Sequence, residues 1–204
     1  MVPVVSSINP GASSIVTAES GTSRCYWSGT SVEYRRYHDE EWGVPLRGDQ
    51  PLFEKLSLEA FQSGLSWITI LNRRPTFRRA FADFAIDAVA AFDDADVARL
   101  LLDEGIIRNR AKISATIANA RIAQELIAGH PGAFDELLWS FAPTGPHARP
   151  VGRGDLVAVT AESTALSTAL RGLGFRFVGP TTMHALMQSA GMIDDHLVGC
   201  WRAD

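Results

Sequence analysis

Residues 171–190 read RGLGFRFVGPTTMHALMQSA, and this stretch decides the fold. A helix runs into it and stops at Arg171-Gly172-Leu173-Gly174, where glycine suits a C-terminal cap. Residues 175–179 make a short connection. Pro180 suits the first turn of a second helix, because it gives up only an N–H that has no helical partner there. Gly179 before it permits close approach of another backbone. Free amides at a helix start form an anion site, and a DNA phosphate is one natural occupant. Val178, Gly179, Thr181 and Thr182, with Arg176 beside them, are the expected phosphate contacts. The pattern is a helix–hairpin–helix over about 163–190. An ordinary connection between two packed helices has the same signature and stays open.

Outward from this stretch the chain reads as helix after helix. Apolar period and boundary residues predict helices over 51–63, 76–84, 86–92, 94–104, 109–128, 132–141, 161–172 and 181–190. Thr160 or Ser163 is the expected N-cap of the helix over 161–172. Residues 142–159, rich in proline and glycine, read as a loop. No alternation of apolar and polar residues supports a sheet, so the expected class is all-α with the two chain ends folded together. Residues 1–23 have no period and are expected to be a poorly ordered extension.

At 204 residues the chain has room for a substantial core, and 46% hydrophobic with 21% charged residues is ordinary for a soluble globular protein. No apolar run is long enough to span a bilayer, and no signal peptide is visible, so the expected location is cytoplasmic with no membrane partner. A net charge of −4 argues mildly against nucleic acid. Local basic groups argue the other way: Arg73, Arg74, Arg78 and Arg79; then Arg108, Arg110 and Lys112; then Arg171 and Arg176.

The two cysteines lie near opposite ends, each with a histidine. Cys25 and His38 are near the start; His196 and Cys200 form a His-x-x-x-Cys pair near the end. Two thiolates and two imidazoles are the donor set of a closed, structural zinc site. A helical turn carrying His196 and Cys200 would put both on one face. Two unrelated buried thiols remain the alternative. His130, His147 and His184 read as structural or exposed.

Glu59 falls between Leu52 and Leu56 on the helical wheel, inside the apolar stripe. A buried carboxylate costs several kcal/mol unless it is paired or hydrogen-bonded. Trp27, Tyr34, Tyr37, Trp42 and Trp67 are dense around it in sequence. Aromatics with one acidic acceptor suit a flat, electron-poor base. An aromatic core with one satisfied glutamate is the plainer alternative.

The stretches RYHDEEWGVP (36–45), EAFQSGLSWITIL (59–71), GIIRNRAKI (105–113) and GFRFVGPTTMHALMQSAGMIDDHLVGC (174–200) closely resemble the DNA-3-methyladenine glycosylase I family. The resemblance covers about residues 24–201. It implies a helix–hairpin–helix DNA glycosylase body over 24–204, built of two helical lobes. It implies one structural Zn²⁺ per chain on Cys25, His38, His196 and Cys200. It also implies base recognition by Glu59, with Tyr37, Trp67, Tyr34, Trp27 and Trp42 around the base. The implied reaction is hydrolytic excision of 3-methyladenine from double-stranded alkylated DNA by a monomer, with free 3-methyladenine as product and an abasic site left behind. The damaged nucleotide must first leave the stack. Methylation makes the base a cationic leaving group, so little acid catalysis is required.

One departure concerns Asp194. Where the resembled family often has Asn-Asp-His, this chain has Asp194-Asp195-His196. Asp194 either assists as an acid near the sugar or caps the helix carrying the zinc ligands, and the cap is favoured. The only lysines are Lys55 and Lys112, neither in the hairpin, so a Schiff-base lyase step is not expected. An idle DNA-binding module would not need Glu59 and the aromatics. A small-molecule N-glycosidase would not need the hairpin and the arginines.

Overall fold

The computed structural model describes residues 13–29 and 31–203. Two short strands, β1 (Ile15–Thr17) and β2 (Ser23–Cys25), pair antiparallel with Ile15 opposite Cys25. The helices are α1 (Val32–Glu40), α2 (Asp49–Gln62), α3 (Trp67–Ala80), α4 (Ile86–Ala90) and α5 (Asp94–Leu102). After them come α6 (Arg110–Gly129), α7 (Ala133–Trp139), α8 (Ala161–Gly172) and α9 (Pro180–Ser189).

The class is thus mainly helical, and the expectation of all-α is corrected by the strand pair. Strands of three residues are too short to display a two-residue period in sequence. The pair also corrects the reading of 1–23 as unordered: Ile15–Thr17 is held in a ladder, and Tyr26 N–H donates to the Ser14 carbonyl. The same expectation for residues 1–12 lies outside the described residues.

Helix α3 corrects a second boundary. A helix was expected over 76–84, yet α3 runs from Trp67 through Pro75 to Ala80. An interior proline removes one backbone hydrogen bond and crowds the preceding turn. Burial of Ile70, Leu71, Arg74 and Phe77 along the helix outweighs that cost. Helix α1 was not expected at all, because VEYRRYHDE carries few apolar residues; Ser31 caps it by accepting from the Tyr34 amide. For α8 the cap is Thr160, in a reciprocal box with Ser163.

Helix α6 runs through the middle and packs against α2, α4, α5 and α7. Helix α2 also packs on α9, and α9 on α8. Asp49, in the first turn of α2, accepts from the Gly132 and Asp135 amides at the start of α7. Asp135 in turn accepts from the Gly48 amide at the start of α2. Each helix therefore supplies the carboxylate that the other helix's N-terminus favours. A small separate cluster of Cys25, Leu197 and Cys200 joins the two ends of the chain. No helix among the described residues is long and apolar enough to cross a membrane.

Candidate base pocket and metal cluster

A cavity of about 270 Å³ opens between α1, α2, α3 and α9. It is walled by Trp27, Tyr34, Tyr37, Trp42 and Trp67, and Glu59 faces into it. Tyr34 and Tyr37 come from successive turns of α1, Trp42 from just beyond it, Glu59 from α2, and Trp67 from the first residue of α3. The rings form a continuous wall, with centroids 4.8 Å apart for Trp27–Trp42, 5.3 Å for Trp27–Tyr34 and 5.4 Å for Tyr37–Trp67. All six residues expected around a base are thus brought together. Six more were not foreseen: Gln62 from the end of α2, Ala185, Gln188 and Ser189 from α9, and Leu156 and Val157 from the loop after α7. No sequence signal placed that loop at the pocket.

Glu59 is buried, and its Oε1 accepts from Ser189 Oγ at 2.9 Å. Burial raises its pKa to about 7, against the pull of Lys55 and the Ser189 bond. Tyr37 is fully buried, and burial holds its phenol well above the ordinary range, with Glu59 adding to the effect. Trp67 Nε1 is a buried donor with no protein partner. The Glu59 carboxylate is the acceptor that a ligand with hydrogen-bonding edges would meet in this cavity.

Lys55 was set aside in the sequence because it is outside the hairpin. It sits one turn before Glu59 on α2 and is buried. Its ammonium lies 5.1 Å from the Tyr37 ring centroid and 5.6 Å from that of Trp67. The signal that could have found it is the Lys–Glu spacing of four residues on an apolar helix face.

The second constellation is metal-like. The donor atoms of Cys25, His38, His196 and Cys200 all lie within 4.8 Å of one another, and all four residues are buried. His38 Nε2 is 3.4 Å from Cys200 Sγ, and His196 Nδ1 is 3.7 Å from each sulfur. The outward ring nitrogens are also occupied: His38 Nδ1 meets Asp39 at 2.8 Å, and His196 Nε2 meets the Trp42 carbonyl at 3.1 Å. Such contacts fix the tautomer that leaves the other nitrogen free for a metal. Asp39 also takes Arg24, and these bonds hold its carboxyl at about 2 despite burial. The expected helical turn under His196 and Cys200 is absent: 193–200 is irregular chain and a turn. The ligands converge because Leu197 N–H bonds Cys25 Sγ and the segment lies on β2.

Asp194 is corrected for the same reason. It caps no helix; its Oδ1 accepts from the His196 amide at 3.2 Å, and its other oxygen pairs with Arg149 at 2.7 Å. It does not line the pocket. Neighbouring Asp195 instead takes His147 and Gln188, each at 2.6 Å, and so holds one pocket wall. His184 is buried beside it, and His130 is exposed against Glu136.

The 173–179 connection is clamped by Asn119 of α6, which bonds both the N–H and the C=O of Arg176. Phe177 has φ 58° and stands exposed. The Val178 side chain is buried and its carbonyl accepts from Ser167 Oγ; the expectation for it concerns its amide, which neither contact involves. Gly179, Thr181 and Thr182 reach the surface with the Arg176 side chain. Three of the first arginine group are engaged elsewhere: Arg74 pairs with Glu41, Arg78 with Glu54, and Arg73 with the Glu104 carbonyl, while Arg79 stays exposed with its guanidinium near the Pro75 carbonyl and Thr76 hydroxyl. Lys112 is also corrected, since it is buried and donates to the Phe61 and Ser63 carbonyls at the end of α2. Arg108, Arg110, Arg171 and Arg176 remain exposed.

The family model described as methyladenine glycosylase matches residues 27–203. DNA-3-methyladenine glycosylase 1 of Escherichia coli (strain K12) is 43% identical over 179 residues, covering 87% of this chain and 95% of that protein. A crystal structure of 3-methyladenine DNA glycosylase I superposes with a TM-score of 0.84 at 40% identity, covering 87% of this chain and 98% of the other. The Staphylococcus aureus 3-methyladenine DNA glycosylase I, solved for the basis of 3-methyladenine recognition, gives 0.81 at 33% identity, covering 87% and 95%.

Proposed function

This chain belongs to the methyladenine glycosylase family, and from that membership we propose that it flips 3-methyladenine out of alkylated DNA and excises it hydrolytically. The observation that carries the reading is Glu59, a buried carboxylate facing a base-sized cavity walled by five aromatic residues. Flipping costs a few kcal/mol and less for a damaged pair. Inside, the rings supply stacking, roughly 1–3 kcal/mol per base. Ionised Glu59 accepts from the exocyclic amine and attracts the cationic ring. Ser189 holds that carboxylate in place by donating to it. The C1′–N9 bond then breaks with its electron pair going to the base, which leaves neutral. Water adds to the sugar carbon and releases a proton. Neither lysine borders the pocket, so hydrolysis without a lyase step follows.

The residues fit a structural zinc. Tetrahedral bonds of about 2.3 Å to sulfur and 2.0–2.1 Å to nitrogen require S···N separations of about 3.5 Å, and the observed values are 3.4 and 3.7 Å. Cys25, His38, His196 and Cys200 would hold the ion in a closed shell. Bound there, it supplies folding free energy and no open position for chemistry.

The α8–α9 segment reads as the helix–hairpin–helix, with the Gly179, Thr181 and Thr182 region and Arg176 set against a phosphate. We take residues 24–204 as the glycosylase body, acting as a monomer on chromosomal DNA in the cytoplasm. The deciding experiment incubates the chain with methylated duplex and identifies the released bases. Release of 3-methyladenine supports the reading, and absence of any released base from folded protein overturns it.

A further inference from the structure

Lys55 places a buried cation against the base pocket without entering it. Its ammonium faces the rings of Tyr37 and Trp67 at 5.1 and 5.6 Å, and both rings wall the cavity that Glu59 faces. Lys55 does not border that cavity; it borders a second one of about 190 Å³, which meets the first at Ser189. Among the described residues it makes no ion pair and no hydrogen bond, although it is 7% exposed. The other charges around it are Glu59 and Glu54 on its own helix, Glu41 after α1, and Arg74 on α3. Glu41 is matched by Arg74, and Glu54 by Arg78. Glu59 is therefore the acid without another cationic partner, and Lys55 is its countercharge.

A buried ammonium in no direct ion pair or hydrogen bond makes sense when the charge change in the reaction is followed. The bound nucleotide carries its positive charge on the methylated purine. When C1′–N9 breaks, the bond pair goes to N9, the purine becomes neutral, and the positive charge passes to the sugar until water adds and a proton leaves. A fixed cation beside the purine opposes the charged ground state and favours the electron-rich departing base. Two cations sharing the faces of one ring also weaken each other's attraction to it. Resting on the glycosylase reading above, we propose that Lys55 is an electrostatic determinant of leaving-group departure. It acts through the Tyr37 and Trp67 rings, and offsets part of the attraction of Glu59 for the cationic purine, so that the neutral product purine is favoured more than it would be without the ammonium.

The test uses the full-length, metal-loaded chain and two purine probes at pH 8. One is neutral 3-methyladenine. The other is 3,9-dimethyladeninium, a permanent cation with a methyl group where the sugar was. Lys55→Met should shift the affinity ratio towards the cation by on the order of tenfold, the effect of one unit charge several ångströms away at intermediate dielectric. Single-turnover excision should fall by a similar factor. Lys55→Arg, which keeps the charge, should retain the wild-type ratio. Should Lys55→Met fail to fold, Lys55→Gln carries the same comparison. An unchanged ratio in a folded, charge-removed variant that still binds 3-methyladenine overturns the proposal. Failure of the unmodified chain to bind or release 3-methyladenine overturns the functional reading instead.

Discussion

Ser189 on α9 donates to Glu59 on α2 across 2.9 Å. This one bond joins α9 to the carboxylate that faces the aromatic cavity. Helix α9 thus runs from Gly179 and Pro180 at its start to the Ser189 that lines the cavity at its end.

Glu59→Gln keeps the shape and removes the charge. It should lose 3-methyladenine affinity and discriminate less against 3-methylguanine, whose carbonyl faces an acceptor in the wild-type pocket. The wild-type penalty for that unpaired contact is about 1–3 kcal/mol or more. Free-base titration and single-turnover release on both lesions check this, and an unaltered selectivity would remove Glu59 from recognition. The same substitution should change stability with pH. Glu59 has a folded pKa of about 7, raised chiefly by burial from 4.5. Its contribution to stability is full below about 4.5 and is lost as pH rises through 7. The variant should therefore gain on the wild type by roughly 2 kcal/mol between pH 5 and pH 7.5, readable as a widening difference in Tm.

Elemental analysis should find about one zinc per chain. Cys200→Ser, or chelation, should lower Tm sharply, because the ligands tie β2 and the end of α1 to the last irregular segment. Some loss of base affinity should follow as well, since His196 holds the Trp42 carbonyl and Trp42 walls the pocket. Full thermal stability in metal-free protein is the outcome that contradicts this.

Gly191→Ala should destabilise the fold by about 2 kcal/mol or more. Gly191 has φ +70°, and an added Cβ would lie 2.5 Å from the Val44 and Pro45 backbone. Those residues follow α1, and the Leu46 amide bonds Ala190 at the end of α9. Denaturant melts check the cost, and a change below about 0.5 kcal/mol would mean the two segments part easily.

Gly179→Val should fold normally, because φ −64° and ψ 158° suit any residue before proline and the new Cβ would meet only the end of Arg171. The added bulk stands at the start of α9. Binding to damaged and undamaged duplex should fall alike, since phosphate contacts carry no base information. Binding by the unmodified chain should weaken as salt rises. Titrations at two salt concentrations test both points; salt-independent affinity would contradict them.

Helix period, caps and breakers were legible wherever a segment is long enough to repeat. The α8 boundaries, the proline start of α9 and the α6 run follow from local pattern alone. So did Glu59, because a carboxylate inside an apolar stripe is visible on one helix. The metal set was legible as a donor inventory, and the aromatic set as a local density. Tertiary structure decided what no local window contains. It carried α3 through Pro75, because the burial of Ile70, Leu71 and Phe77 depends on neighbours distant in sequence. It turned Arg74 and Lys112 from candidate phosphate binders into buried partners of Glu41 and of the α2 carbonyls. It brought Leu156 and Val157 to the pocket, and it set Lys55 against the Tyr37 and Trp67 rings. For the proline and the charges the physical reason is one: each has its local cost written in the sequence, but the partner that offsets the cost is named only by the packing. For Leu156 and Val157 it is that a loop carries no period, so only the packing says which surface it covers.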